Sequence, residues 1–230
     1  MESEPKVKAL RVWDGPTRLF HWTLVALLVF SWWSAENRMM DWHRITGSTV
    51  VGLVIFRLLW GLFGSSTARF AHFVRGPSAS LSYLRGGEDY ADRPGHNPLG
   101  GYSVLLLLLM LVVQVASGLL ATDVDGLESG PLSYLVSFEA GRQAAQVHEI
   151  SFNVLLAASA LHVLAIVFYL LVKRRNLVTA MFTGSSKHYR SAEGELVPAG
   201  WLRLILAIAI AAAAAWYLFN GLSFAPVESY

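Results

Sequence analysis

Residues 147–172 read VHEISFNVLLAASALHVLAIVFYLLV, an apolar run broken by one charged side chain, Glu149, and by two imidazoles, His148 and His162. A helix needs roughly 20 mostly apolar residues to cross a bilayer, so this run is long enough to span. Its two histidines are fourteen residues apart. On a helix that spacing is about 21 Å of rise and about 40° short of four full turns, so both face one way at two depths. Ionisable groups inside a membrane are costly and mark function by default. A span with two of them on one face therefore tells both the class of the protein and where its chemistry lies.

Four more runs have the same character: Leu19–Ala35, Ile45–Gly64, Gly100–Ala121 and Trp201–Leu222. The expected fold is an all-α membrane protein, a four-helix transmembrane bundle with a fifth transmembrane helix at the carboxyl end. Asp14 followed by Pro16 is a helix start that extends the short first run into the interface. The connection Ser65–Leu99 is rich in Gly and Pro, and Pro77–Arg85 within it places Leu81 and Leu84 at the spacing of a surface helix. The run Arg93-Pro94-Gly95-His96-Asn97-Pro98 is a turn ahead of the third span. The expected organisation is a core over residues 1–175 with the long loop 65–99, a polar linker 176–200, and the last span over 201–222. The small residues of Ala207–Ala215 permit close helix contact.

Composition agrees. Apolar residues make up 54% of the 230-residue chain and charged residues 15%, against about 25% charged in an ordinary soluble domain. The net charge of +2 argues for no nucleic-acid partner, because the basic residues flank apolar spans and report orientation. With no cysteine, the chain itself carries no disulfide, thiolate zinc site, iron–sulfur cluster or thioether-linked haem. Met1–Arg18 is polar and lacks a small-residue cleavage site, so the first apolar run is read as a span, not a removed leader.

Lys6, Lys8, Arg11 and Arg18 precede the first span; Arg69, Arg75, Arg85 and Arg93 lie between the second and third; Lys173, Arg174, Arg175, Lys187 and Arg190 follow the fourth. A five-span topology puts all three groups on one side, which the positive-inside rule makes cytoplasmic, with the amino terminus inside and the carboxyl terminus outside. The opposite loops carry Arg38, Arg44 and Arg142, and the second of them sets Asp123, Asp125, Glu128 and Glu139 against Arg142.

This topology sorts the histidines into layers. His43 opens the second span at the outer depth of His148, and His21 opens the first at the inner depth of His162. Zinc needs about three or four convergent ligands, which two histidines per layer do not supply. Haem brings four equatorial nitrogens and needs only axial ligands, so two imidazoles from facing helices complete it and leave no open position. Arg57, fourteen residues after His43 on the same face, is placed to pair a haem propionate, or else snorkels to the interface. Arg18, three residues before His21, is a similar candidate. Gly47, one turn after His43, and Gly118 leave room for a porphyrin or for helix packing. His72, His96 and His188 fall in connections and read as solvated.

The pieces Arg18-Leu19-Phe20-His21-Trp22, His43-x-x-x-Gly47 with Arg57, and His148-Glu149 with His162 resemble the bacterial cytochrome b561 family, which includes the b-type subunits of nickel–iron hydrogenases. The similarity runs from about Trp13 to Arg175. It implies a four-helix haem-binding core, two b haems with axial pairs His21–His162 and His43–His148, and electron exchange with quinone. Ala68-Arg69-Phe70 and Gly95-His96-Asn97-Pro98-Leu99-Gly100 resemble the branch with a longer cytoplasmic loop and a fifth helix, which often works with a separate c-type cytochrome or another redox subunit.

The expected activity is transmembrane electron transfer between the quinone pool and a periplasmic redox protein, in lipid of a bacterial inner membrane. The acidic second outer loop favours a cationic partner such as a basic c-type cytochrome. It argues against superoxide oxidation at the outer haem, since that substrate is an anion. A third reading, a membrane anchor of a hydrogenase-type complex, predicts a chain without haem. Gln114 and Ser117 are polar groups in an apolar run, and no residue stands out as a quinone site.

Overall fold

The computed structural model describes residues 9–85, 94–187 and 195–222. Lys6, Lys8, Arg93, His188 and Arg190 lie outside them. The described chain is helical, with helices α1 (Gly15–Glu36), α2 (Met40–Phe63), α3 (Phe70–Phe73), α4 (Pro77–Leu84), α5 (Pro98–Leu120), α6 (Phe138–Leu171), α7 (Leu177–Thr183) and α8 (Trp201–Phe219). Among the described residues, α2, α5, α6 and α8 are long and apolar enough to cross a membrane. Helix α1 has the length, 22 residues, but Arg18 and His21 near one end and Ser31, Ser34 and Glu36 near the other dilute its apolar centre.

Local chemistry explains the helix ends. Asp14 caps α1: its carboxylate accepts from the Thr17 amide at 2.7 Å, satisfying one of the donors that a helix start leaves open. Asn97 caps α5 by accepting from the Gly100 amide at 2.7 Å, with Pro98 in the first turn, where its missing N–H costs nothing. Ser137 accepts from the Ala140 amide at the start of α6. Between α1 and α2 the chain reverses within three residues. Arg38 adopts φ +57 there, and the Met39 amide reaches back to the Ser34 carbonyl at 2.8 Å.

The chain divides into two compact units, one of Met1–Leu19, Trp60–Leu105 and Leu161–Leu204, the other of Phe20–Leu59, Leu106–Ala160 and Ile205–Tyr230. The first unit gathers the polar connections. Strand β1 (Leu10–Arg11) pairs antiparallel with β2 (Ser185–Ser186). The Leu196 amide donates to the Arg11 carbonyl at 3.1 Å, and Thr67 Oγ1 to the Val12 carbonyl at 2.7 Å. Ser65 and Ser66 accept from the amides of Ala199 and Val197. The three basic segments expected on one side of the membrane are thus hydrogen-bonded to one another. Trp60 and Asp14, 2% and 6% exposed, join α2 to the start of α1. At Gly184 the chain needs φ +82, a region without steric cost only for glycine.

The same unit overturns one expectation. His96 is not a solvated loop residue: its ring centre lies 4.6 Å from that of Trp13 and 4.8 Å from that of Phe73. The aromatic neighbours come from the amino-terminal segment and from α3, which the sequence does not show to be close. A second cluster joins Tyr83 of α4, Asn97, and Tyr169 of α6, whose phenol accepts from Asn97 Nδ2 at 2.7 Å.

Most of the buried hydrophobic side chains lie in the second unit, among them Val50, Val51, Val54, Leu108, Leu111 and Leu155. Helix α8 approaches α2 through small residues: a Cβ added at Gly52 would stand 3.3 Å from Ala215 Cβ and 3.8 Å from the Ala211 carbonyl. This is the close contact expected of the alanine-rich run.

Candidate cofactor site

His43 lies in the first turns of α2 and His148 in the third turn of α6, and the second unit brings them together. Their ring centres are 6.0 Å apart with planes at 87°. His43 Nδ1 lies 2.9 Å from the Ser31 carbonyl and 3.2 Å from the Ser31 hydroxyl. His148 Nδ1 lies 2.9 Å from the Gln114 carbonyl. A carbonyl only accepts, so each Nδ1 carries the proton and donates, leaving Nε2 as the lone-pair nitrogen of each ring. Gln114 Nε2 addresses that lone pair on His148 at 3.1 Å, and Ser151 donates to the other end of the Gln114 amide.

Both rings face a cavity of ≈ 380 Å³ whose apolar walls include Leu28, Val50, Val51, Val115 and Leu155. A small-molecule site in proteins has a volume of about 300–1,000 Å³. Gly47 lines the cavity, and a Cβ there would meet nothing within 4 Å. It therefore faces open space and not a packed helix. Gly118 does otherwise: an added Cβ would come within 2.8 Å of His148 Cε1, so this glycine makes room for the imidazole itself.

The geometry suits the expected haem. Two imidazoles facing one cavity at this separation could both reach a haem iron. The donor set is right as well: neutral imidazoles with Nδ1 held by carbonyls are the usual form of a histidine that ligates through Nε2. Among the described residues no three His, Asp or Glu side chains converge as a metal ion alone would need.

The other expected residues are distributed as follows. Arg57 is buried in α2 at 4% exposure, which counts against a side chain snorkelling to water. Arg18 donates through Nε to the Asp14 carbonyl at 3.3 Å and through Nη1 to the Phe182 carbonyl, so its guanidinium bonds to the polypeptide. His21 is half-buried on α1 with Trp22 edge-on at 4.9 Å. His162 is half-buried on α6, in the same unbroken helix as His148. His21 and His162 belong to different compact units, and their pairing stays an expectation from spacing.

One charge assignment changes. Glu128 does not face Arg142: it pairs with Arg44 at 3.3 Å, while Arg44 also holds Asp41 at 2.6 Å. Arg142 instead donates to the Thr122 carbonyl at 2.9 Å. Ser31 and Ser151 are the residues the sequence did not single out. A serine in an apolar helix reads as packing, and only the contact of Ser31 with His43, and of Ser151 with Gln114, gives each a role.

The family model for prokaryotic cytochrome b561 matches residues 12–184. No curated protein and no solved structure matches.

Proposed function

Because the chain belongs to the prokaryotic cytochrome b561 family, we propose that it carries electrons across a bacterial inner membrane, between the quinone pool and a periplasmic redox protein, through two b haems. The family itself implies b-type haem and transmembrane electron transfer. The single observation that carries the fuller reading is the His43–His148 pair, 6.0 Å apart at the cavity. A b haem, held by His43 and His148, would supply a one-electron iron couple suited to electron transfer.

The chain's own residues do the rest. His43 and His148 would hold the outer haem. The carbonyls of Ser31 and Gln114 fix both tautomers. The apolar walls exclude water, and the open space at Gly47 admits the macrocycle. Spacing alone pairs His21 with His162 for the inner haem, one 21 Å step along α6 in an apolar core of roughly 30 Å. Buried Arg57 is the propionate partner proposed for the inner haem. Arg18 is the weaker one, since two carbonyls already hold it.

The proposed topology has five spans, with α1 the fifth beside the four long apolar helices. The amino terminus is cytoplasmic and the carboxyl terminus periplasmic. Support comes from the basic segments knitted together in the first unit and from the positive-inside rule. Residues 1–175 form the haem core, 176–200 the linker and 201–222 the last span.

A pyridine haemochrome assay with a reduced-minus-oxidised spectrum on the purified chain tests this reading. About two b haems per chain, low-spin in both oxidation states, is the expected result. A folded chain with no haem would overturn it and leave the anchor subunit.

A further inference from the structure

The segment between α5 and α6 is a braced hairpin. Thr122 and Ser129 form an antiparallel bridge, the Asp123 amide donates to the Glu128 carbonyl at 3.2 Å, and Gly126 turns the tip with φ +73. Its base is fixed by the Thr122 amide on the Gly141 carbonyl, the Gly130 amide on the Ala121 carbonyl, and Arg142 on the Thr122 carbonyl. Such a segment needs little ordering on binding, which is where association otherwise loses free energy.

The tip carries two aliphatic side chains in water. Val124 is 71% exposed and Leu127 82% exposed. Beside them Asp125 is exposed, and Glu139 is exposed at the start of α6. Among the described residues neither carboxylate has a cation within ion-pair range, whereas Glu128 is matched by Arg44. The result is an apolar centre with an uncompensated acidic rim. The inner side of the same segment, Glu128 to Pro131, lines the cavity of His43 and His148.

We propose that the hairpin Thr122–Ser129 is the docking surface for a soluble redox protein whose contact face has an apolar centre ringed by lysines. This rests on the electron-transfer reading. One short segment then separates the partner from the outer cofactor site, and charge complementarity selects a cationic face. A lipid surface fits less well, because an anionic leaflet repels carboxylates and burying them in the bilayer is costly.

The test uses the full haem-loaded chain in nanodiscs, with one basic and one acidic c-type cytochrome as probes and stopped-flow mixing at several salt concentrations. The pair Asp125→Lys and Glu139→Lys should slow oxidation by the basic probe about tenfold at low salt, flatten its salt dependence, and speed the acidic probe. The pair Val124→Ser and Leu127→Ser should slow the basic probe several-fold and leave its salt dependence unchanged. Haem content and the outer-haem midpoint should match the parent in both. Rates within twofold of the parent at unchanged haem content would overturn the docking surface and spare the electron-transfer reading. A serine pair that alters only the particle mass would give the patch to a second copy. A fluorophore on Leu127→Cys quenched by brominated lipid would give it to the bilayer. Either result would overturn the proposal. A parent chain without haem, seen first in its absorption spectrum, would remove both readings together.

Discussion

Trp60 donates its indole N–H to the Asp14 carboxylate at 2.9 Å, and both side chains are buried. The same carboxylate caps α1, so one group fixes the start of the first helix and locks it to the end of the second. Asp14→Ala removes the cap and the indole's acceptor together. It should destabilise the protein by about 1–3 kcal/mol. Thermal unfolding in detergent, followed by circular dichroism, checks this. An unchanged midpoint would show that the contact is dispensable.

Replacing either outer histidine should have the same consequence as replacing both. His43→Ala and His148→Ala should each lower haem content from about two per chain to about one, and the double variant should fall no further. His162→Ala should retain the outer haem. Retention of both haems in the His162 variant would show that the axial assignment is wrong.

The two cavity glycines should respond differently. Gly118→Ala sets a Cβ within 2.8 Å of His148, so it should displace the ring and reduce outer-haem occupancy. Gly47→Ala meets no protein atom within 4 Å, so it should leave the melting temperature of the haem-stripped chain unchanged. A shift of the Soret band in the loaded Gly47 variant would then report the cavity's occupant directly. No shift would place the cofactor elsewhere.

Helix α8 is tied to α2 at Gly52 and Ala215. Since the chain contains no cysteine, the pair Gly52→Cys and Ala215→Cys should cross-link cleanly under mild oxidation. Gly52→Leu should force the helices apart at a cost of about 1–3 kcal/mol, read as faster proteolysis at residues 195–200 beside α8. Equal cleavage in parent and variant would argue that α8 is not held there.

Much of this was legible in the sequence because membrane helices announce themselves by length and apolarity. The spacing of His148 and His162 and the matched depth of His43 follow from helical geometry, and the rings of His43 and His148 lie 6.0 Å apart. Some features lay beyond that. The two-residue strands β1 and β2 have no period to read. The aromatic setting of His96 depends on Trp13 and Phe73, which are distant in sequence. The carbonyls that hold His43 and His148 are backbone groups, which no residue identity reveals. The ion pair Arg44–Glu128 joins the start of α2 to the segment between α5 and α6, so local charge patterning assigned Glu128 to the wrong arginine.

Phe219, the last residue of α8, is part of the cavity wall, about seventy residues after His148. His43 and His148 are therefore made well before the enclosure is complete. A cofactor captured early would wait with one side open, and its full seclusion would come only once α8 is in place. Truncation near the carboxyl end should thus leave a cytochrome with its ligands intact and its cofactor prone to leak.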